Sequence, residues 1–136
     1  MTKKLIREML RFNHLTTEID AAYHEASLKL GLSDSAMHIL YTLCGNGGSC
    51  GLSNICSLSG IRKQTINSAL RKLQDEKLVY MQALDGKKKS VHLTDSGKLL
   101  AERTVSRIIE IENEIYSSWT KEERDIYIEL TQRYLD

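Results

Sequence analysis

From Lys3 to Leu30 the chain places Leu5, Met9, Phe12, Thr16, Ile19, Tyr23 and Ala26 at alternating steps of four and three, with Ile6, Leu15 and Ala22 widening the stripe. That spacing predicts one amphipathic helix, and Gly31 follows as its left-handed stop. At 1.5 Å per residue such a helix is about 40 Å long, more than the rest of a 136-residue protein can cover. The stripe needs a partner surface.

The far end of the chain has the same character. Ala101, Val105, Ile108, Ile115 and Trp119 step by roughly three and a half residues, flanked by Ile109 and Tyr116, with Glu112 the one polar interruption. A last short helix is expected after Thr120, using Ile126, Leu130 and Tyr134. Two long apolar faces at opposite ends predict an intertwined homodimer whose dimerisation helices are residues 1–31 and 99–136. An ordinary monomeric helical bundle is the alternative.

Composition sets the class. The chain has no proline, and five of its eight glycines fall between Gly45 and Gly60, so breakers are scarce elsewhere and a mainly α fold in a single domain, residues 1–136, is expected. No run of 18 apolar residues occurs, and the Lys-Lys start leads into a charged amphipathic segment; a soluble, cytoplasmic protein with no membrane role is expected. Cys44, Cys50 and Cys56 are odd in number and spaced C-x5-C-x5-C, which fits neither a structural zinc pattern nor a disulfide scaffold. The overall charge of +1 hides a polarity: residues 1–60 are net 0, residues 61–98 net +5 and residues 99–136 net −4. The basic third is a candidate surface for a polyanion, with a solvated face as its alternative reading.

The stretch from Leu52 to Gly97 gives that charge a context. Ser33 or Asp34 can cap a helix carrying Met37, Leu40, Tyr41 and Cys44, ended by Gly45-Asn46-Gly47-Gly48. Leu52 to Ser59 reads as a short helix with Ile55 inward; Cys56 is the small residue, Gly60 the tight turn and Ile61 its plug. A second helix follows with Ile66, Ala69, Leu70 and Leu73 inward, which is helix-turn-helix spacing. Leu78 to Leu84, Asp85-Gly86, and Lys87 to Leu93 then read as a hairpin with an Asp-Gly turn, a wing tipped by Lys87, Lys88 and Lys89. Thr94 caps the next helix.

Gly60-Ile61-Arg62-Lys63-Gln64-Thr65-Ile66, Lys77-Leu78-Val79, Asp85-x-Lys87 and Leu93-Thr94-x-x-Gly97 together resemble the MarR family of bacterial transcription regulators. The resemblance implies a winged helix-turn-helix of about six helices and three short strands, here spanning residues 33–98, in a dimer. Three positions depart from the family pattern. Lys87 stands where the wing usually has Arg, Arg62 where a capping Ser or Thr is usual, and Ser59 where an apolar residue would pack.

On a helical wheel with Ile66, Ala69, Leu70 and Leu73 inward, Gln64, Asn67, Ser68 and Arg71 point outward as candidate base readers, since Gln and Asn match adenine and Arg matches guanine. Arg62, Lys63, Thr65 and Lys72, with the wing's Lys87, Lys88 and Lys89, are candidate phosphate contacts. The expected partner is double-stranded DNA with a pseudo-palindromic operator. The resemblance also implies a small aromatic or lipophilic effector in a crevice, for which Tyr23, His38, Tyr41 and Trp119 are candidates; core packing is the alternative use of each. The function implied is a homodimeric repressor released by such a ligand. Other readings are a redox-sensing regulator using Cys50 and Cys44, or a winged-helix protein-interaction module. His14, His24, His38 and His92 show no short ligand spacing, so no metal site and no cofactor is expected. No nucleophile and base form a recognisable local arrangement, and no enzyme is expected.

Overall fold

The structure, a computed structural model, describes residues 3–136. In chain order these form α1 (Lys3–Lys29), α2 (Asp34–Gly45), β1 (Ser49–Gly51), α3 (Leu52–Ser59), α4 (Lys63–Asp75), β2 (Val79–Ala83), β3 (Lys89–Leu93), α5 (Asp95–Arg103), α6 (Val105–Ser117) and α7 (Lys121–Leu135). The sheet is antiparallel with order β1-β3-β2. This is a mainly helical winged helix-turn-helix with a small β-wing.

Gly31 ends α1 at φ +74°, the left-handed conformation that glycine adopts without strain. The amides of Gly31 and Leu32 donate to the carbonyls of Leu28 and Ser27 at 3.1 and 2.9 Å. Of the two candidate caps for α2, Ser33 takes the role: its hydroxyl accepts from the Ala36 amide at 3.1 Å. Asp34 is already helical and its carboxylate turns back to α1, where it accepts the Ser27 hydroxyl at 2.6 Å and lies 2.8 Å from His24 Nδ1. The Ser27 hydrogen bond, then that of His24, holds the Asp34 carboxyl below its ordinary range.

Helix α2 is more deeply buried than its expected stripe of Met37, Leu40, Tyr41 and Cys44. Ile39 and Leu43, outside that stripe, are fully buried together with Leu40, while Tyr41 and Cys44 lie at the margin. A helix that is apolar on most sides is one with neighbours on most sides. Here α1, α3, α4, α5 and α6 and the sheet all pack on it.

The helix expected after Thr94 is in two pieces, which raises the helix count among the described residues to seven. Thr104 breaks it, at φ −122° and ψ −88°. Its hydroxyl donates to the Leu100 carbonyl at 2.7 Å, and its amide turns to Ala101 at 3.2 Å. That hydroxyl bond accompanies the break without causing it, since Thr16, Thr17 and Thr131 make the same bond inside unbroken helices. The break also divides the C-terminal stripe. Ala101, Val105 and Ile108 are buried in the chain's own core, whereas Ile111 and Ile115 are more than half exposed. With Leu5, Phe12, Ile19 and Ile126 they form an apolar surface over α1, α6 and α7. Phe12 meets Tyr134 across it, ring centroids 5.3 Å apart. α7 opens on a complete capping box: the Thr120 hydroxyl accepts from the Glu123 amide at 3.1 Å, and the Glu123 carboxylate from the Thr120 amide at 2.8 Å.

The wing differs from the expected hairpin in its turn. Ala83 pairs with Lys89, and the Leu84 amide donates to the Lys88 carbonyl at 2.8 Å, so Asp85, Gly86 and Lys87 form a three-residue loop. Among these only Gly86 has positive φ, +68°. A two-residue type I′ turn needs positive φ at both central residues, and Asp85 does not supply it. Lys87 therefore sits in the loop, not at the start of the returning strand.

Wing and helices are locked together at Gly97. A Cβ built there would lie 2.0 Å from the Leu78 carbonyl oxygen, and that oxygen also accepts the Thr94 amide at 3.1 Å. Gly97→Ala must push α5 off the start of β2. A loss of at least about 3 kcal/mol is expected in urea unfolding, the magnitude of a severe overpacking substitution. A loss below about 1 kcal/mol would show that this contact is not tight.

Candidate nucleic-acid interface

Helix α3 ends at Gly60, φ +67°, and Arg62 opens α4 at φ −57° and ψ 140°. Arg62 makes no side-chain capping bond, so the first turn of α4 has its amides and two cationic side chains, Arg62 and Lys63, at one end. Ser59, in the place where the pattern favours an apolar residue, uses its hydroxyl to accept the Ile61 amide at 3.2 Å and to donate to the Cys56 carbonyl at 3.2 Å. It fixes the turn by hydrogen bonding where an apolar side chain would do so by packing.

Ile66, Leu70 and Leu73 bury the inner face of α4. Gln64, Asn67, Ser68 and Arg71 are exposed on the outside, as are Arg62, Lys63, Thr65 and Lys72. The structure separates them further. Lys63, Asn67, Arg71 and Gln74 share one face, and with Lys87 and Lys89 of the wing they line a groove of about 360 Å³ floored by Leu52, Leu70 and Met81. Four cationic side chains thus face one concavity with no carboxylate in its lining. Gln64 and Ser68 lie outside it, and the Ser68 hydroxyl donates to the Gln64 carbonyl at 3.1 Å, leaving only its lone pairs for a further partner. Arg62, Thr65, Lys72 and Lys88 are also outside the groove. Gln74 was not among the candidate contacts. Its signal was present, since it follows Arg71 by three positions and Asn67 by seven.

Behind the helix-turn-helix lies a second feature. Glu112 of α6, legible only as the polar interruption of a stripe, accepts hydrogen bonds from both the Tyr23 hydroxyl of α1 and the Tyr41 hydroxyl of α2, the latter at 2.6 Å. This triad forms a wall between two cavities. One, of about 640 Å³, is lined by Tyr23, His38, Tyr41, Glu112, Leu58 and Ile61 among others, and reaches the helix-turn-helix. The other, of about 670 Å³, includes Trp119 and Tyr127 and opens on the apolar surface of α1, α6 and α7. The four crevice candidates are therefore not in one place: Tyr23 and Tyr41 line both cavities, His38 the first and Trp119 the second.

The cysteines are free and partly buried. Cys44 Sγ lies 3.6 Å from Ser106 Oγ. Burial pushes the Cys50 thiol up, the opposite of the activated thiolate that a thiol sensor needs. Among the described residues no group of three or more His, Cys, Asp or Glu could hold a metal ion, and no helix is long and apolar enough to cross a membrane. Three of the histidines have separate partners: His14 pairs with Glu18 at 3.0 Å, His24 with Asp34, and His92 stacks on Tyr80 with centroids 4.9 Å apart.

Burial and then the Glu112 hydrogen bond push the Tyr41 hydroxyl up to about 12, and the same causes raise Tyr23 further. Both phenols stay protonated in the folded chain while unfolded tyrosines titrate near an ordinary value of about 10. The unfolded state then binds fewer protons, so the triad's contribution is complete below about pH 10 and fades as pH rises toward 12. Tyr41→Phe should flatten that alkaline decline when unfolding is followed by circular dichroism across the window. An unchanged slope would remove the shifted phenol as its cause.

No curated protein sequence matches the chain. Residues 30–90 match the model of the MarR family. Among solved structures, the chain is similar to a MarR-family transcriptional regulator from Silicibacter pomeroyi, with TM-score 0.72, 21% identity, and 91% of this chain and 84% of that one covered. It is similar to BpsR of Bordetella bronchiseptica, described with regulation of its DNA binding by 6-hydroxynicotinic acid, with TM-score 0.66, 20% identity and coverage of 93% and 99%. It is also similar to MepR of S. aureus in complex with DNA, with TM-score 0.65, 21% identity and coverage of 99% and 96%. The family match lies on the helix-turn-helix and wing, and the fold is shared with these structures over nearly the whole length: the chain is a winged-helix protein whose residues 30–90 are similar to the MarR family.

Proposed function

We propose that this protein is a homodimeric, sequence-specific DNA-binding transcription regulator, a repressor released when a small molecule occupies the crevice behind its helix-turn-helix. The observation that carries the reading is the groove between α4 and the wing, where Lys63, Arg71, Lys87 and Lys89 converge around Asn67 and Gln74. A concavity with four cations and no acid is suited to a polyphosphate backbone and its displaced counterions. Asn67 and Arg71, with Gln64 and Ser68 beside them, take the base edges in the major groove. Arg62, Lys63, Thr65, Lys72 and the three wing lysines hold phosphates. MepR, solved with DNA, and BpsR, whose DNA binding responds to a small acid, lend support to both halves of the reading.

The second copy covers the apolar surface of α1, α6 and α7, which brings two α4 helices to successive major grooves of a pseudo-palindromic site. Sedimentation should give twice the mass of one chain. Ile115→Glu, at a position 52% exposed in the single chain, should yield a folded monomer. A wild-type monomer at micromolar concentration would contradict the arrangement.

Gel-shift titration on the DNA upstream of the protein's own gene tests the contacts. Arg71→Ala should cost about 1–3 kcal/mol on the specific site and relax discrimination, whereas Lys88→Ala should weaken all sequences alike and lower the salt slope by about 1. Equal losses for both variants on specific and scrambled DNA would overturn the assignment of readers. Binding insensitive to salt, or none, would favour a protein-interaction module.

A further inference from the structure

The crevice behind the helix-turn-helix has a charge that selects its ligand. Glu112 accepts two hydrogen bonds, from Tyr23 and Tyr41, but neutral phenols leave its negative charge uncancelled. Among the described residues no Lys, Arg or His side chain lies within 4.0 Å of its carboxylate. Among the described residues neither adjoining cavity has a lysine or arginine in its lining, and Asp20 and Asp34 join Glu112 in the one that reaches the helix-turn-helix. An anionic ligand would enter that space against three carboxylates, with His24 and His38 the only basic groups there and His24 held on Asp34. The remaining walls suit an apolar body: Met37, Leu58 and Ile61 line the same cavity, with the rings of Tyr23 and Tyr41 beside the carboxylate. Carboxylate plus electron-rich rings is the chemistry that holds a weakly hydrated organic cation. A cavity of about 640 Å³ is within the range of small-ligand sites.

We propose that this crevice is a binding site for organic cations with an apolar body, the positive centre against Glu112 and the body against Met37, Leu58 and Ile61. The inference rests on the reading of the crevice as an effector site and adds the class of its ligand. A cation there competes with the tyrosine hydroxyls for Glu112, which ties α1, α2 and α6 together, while its body presses on Ile61 at the turn before α4. Occupancy thereby acts on the angle between α4 and the α1–α6 framework.

Calorimetric titration with benzyltrimethylammonium, its uncharged isostere neopentylbenzene, and benzoate tests the assignment on the unmodified chain. The cation should bind at least about tenfold more tightly than the isostere, with benzoate weakest. Glu112→Gln keeps size and one acceptor oxygen, its amide NH2 donating to the second phenol oxygen in place of the other, and should bring the cation to the level of the isostere, which itself should be unaffected. Equal affinity for cation and isostere in the unmodified protein, or a preference for benzoate, would overturn the proposal without any variant. DNA retention followed in the same titration separates the two readings. Glu112-dependent cation binding that leaves DNA affinity unchanged supports the site and refutes its role as an effector switch.

Discussion

Helix α2 is the support on which the rest of the chain is assembled. Ile39, Leu40 and Leu43 have no exposed surface, and helices on several sides and two strands converge on them. Because one helix is enclosed in this way, the others are left with a single buried stripe each and a free opposite side. α4 buries Ile66, Leu70 and Leu73 against that support, which obliges its polar residues to face outward. α1 and α6 cover their junctions with α2, α6 also packs on α5, and their remaining apolar residues stay on the surface. The outward polar face of α4 and the exposed apolar surface of α1 and α6 are thus consequences of one packing constraint.

The Tyr23–Glu112–Tyr41 triad is the polar counterpart of that support. Hydrogen bonds between partly buried side chains of three helices are directional where apolar contact is not, so they set how α1 and α6 sit against α2. The cavity beside the triad extends to Ile61, the residue that plugs the helix-turn-helix. Cavity, framework and α4 are therefore joined through α2 and the turn, over short distances and without an extended chain of intermediaries.

The winged helix was legible in the sequence because its signals are local: the Gly60 turn, the inward spacing of Ile66, Leu70 and Leu73, and the alternation around Val91 and Leu93. What stayed hidden depended on contacts across the fold. Strand β1 is three residues long, and only its pairing with β3 makes it a strand. The break at Thr104 is a local departure of the backbone, φ −122° and ψ −88°, which helical periodicity does not register. The wing turn followed the φ of Asp85, although the Asp-Gly pair suggested a tighter one. At the site, the helical wheel separated inside from outside correctly, but the position of the wing decided that Lys63, Asn67, Arg71 and Gln74 share a groove while Gln64 and Ser68 do not. Glu112 was visible as an interruption; its two tyrosine partners lie 89 and 71 residues away in sequence.

The proposed function requires two α4 helices to reach DNA together. A hydroxyl-radical footprint on the DNA upstream of the protein's own gene measures this directly. Two protected patches centred about 10 base pairs apart, with protection on the outer flanks where the wings lie, are the expected pattern. One patch of half that extent, or uniform protection with no periodicity, would contradict it.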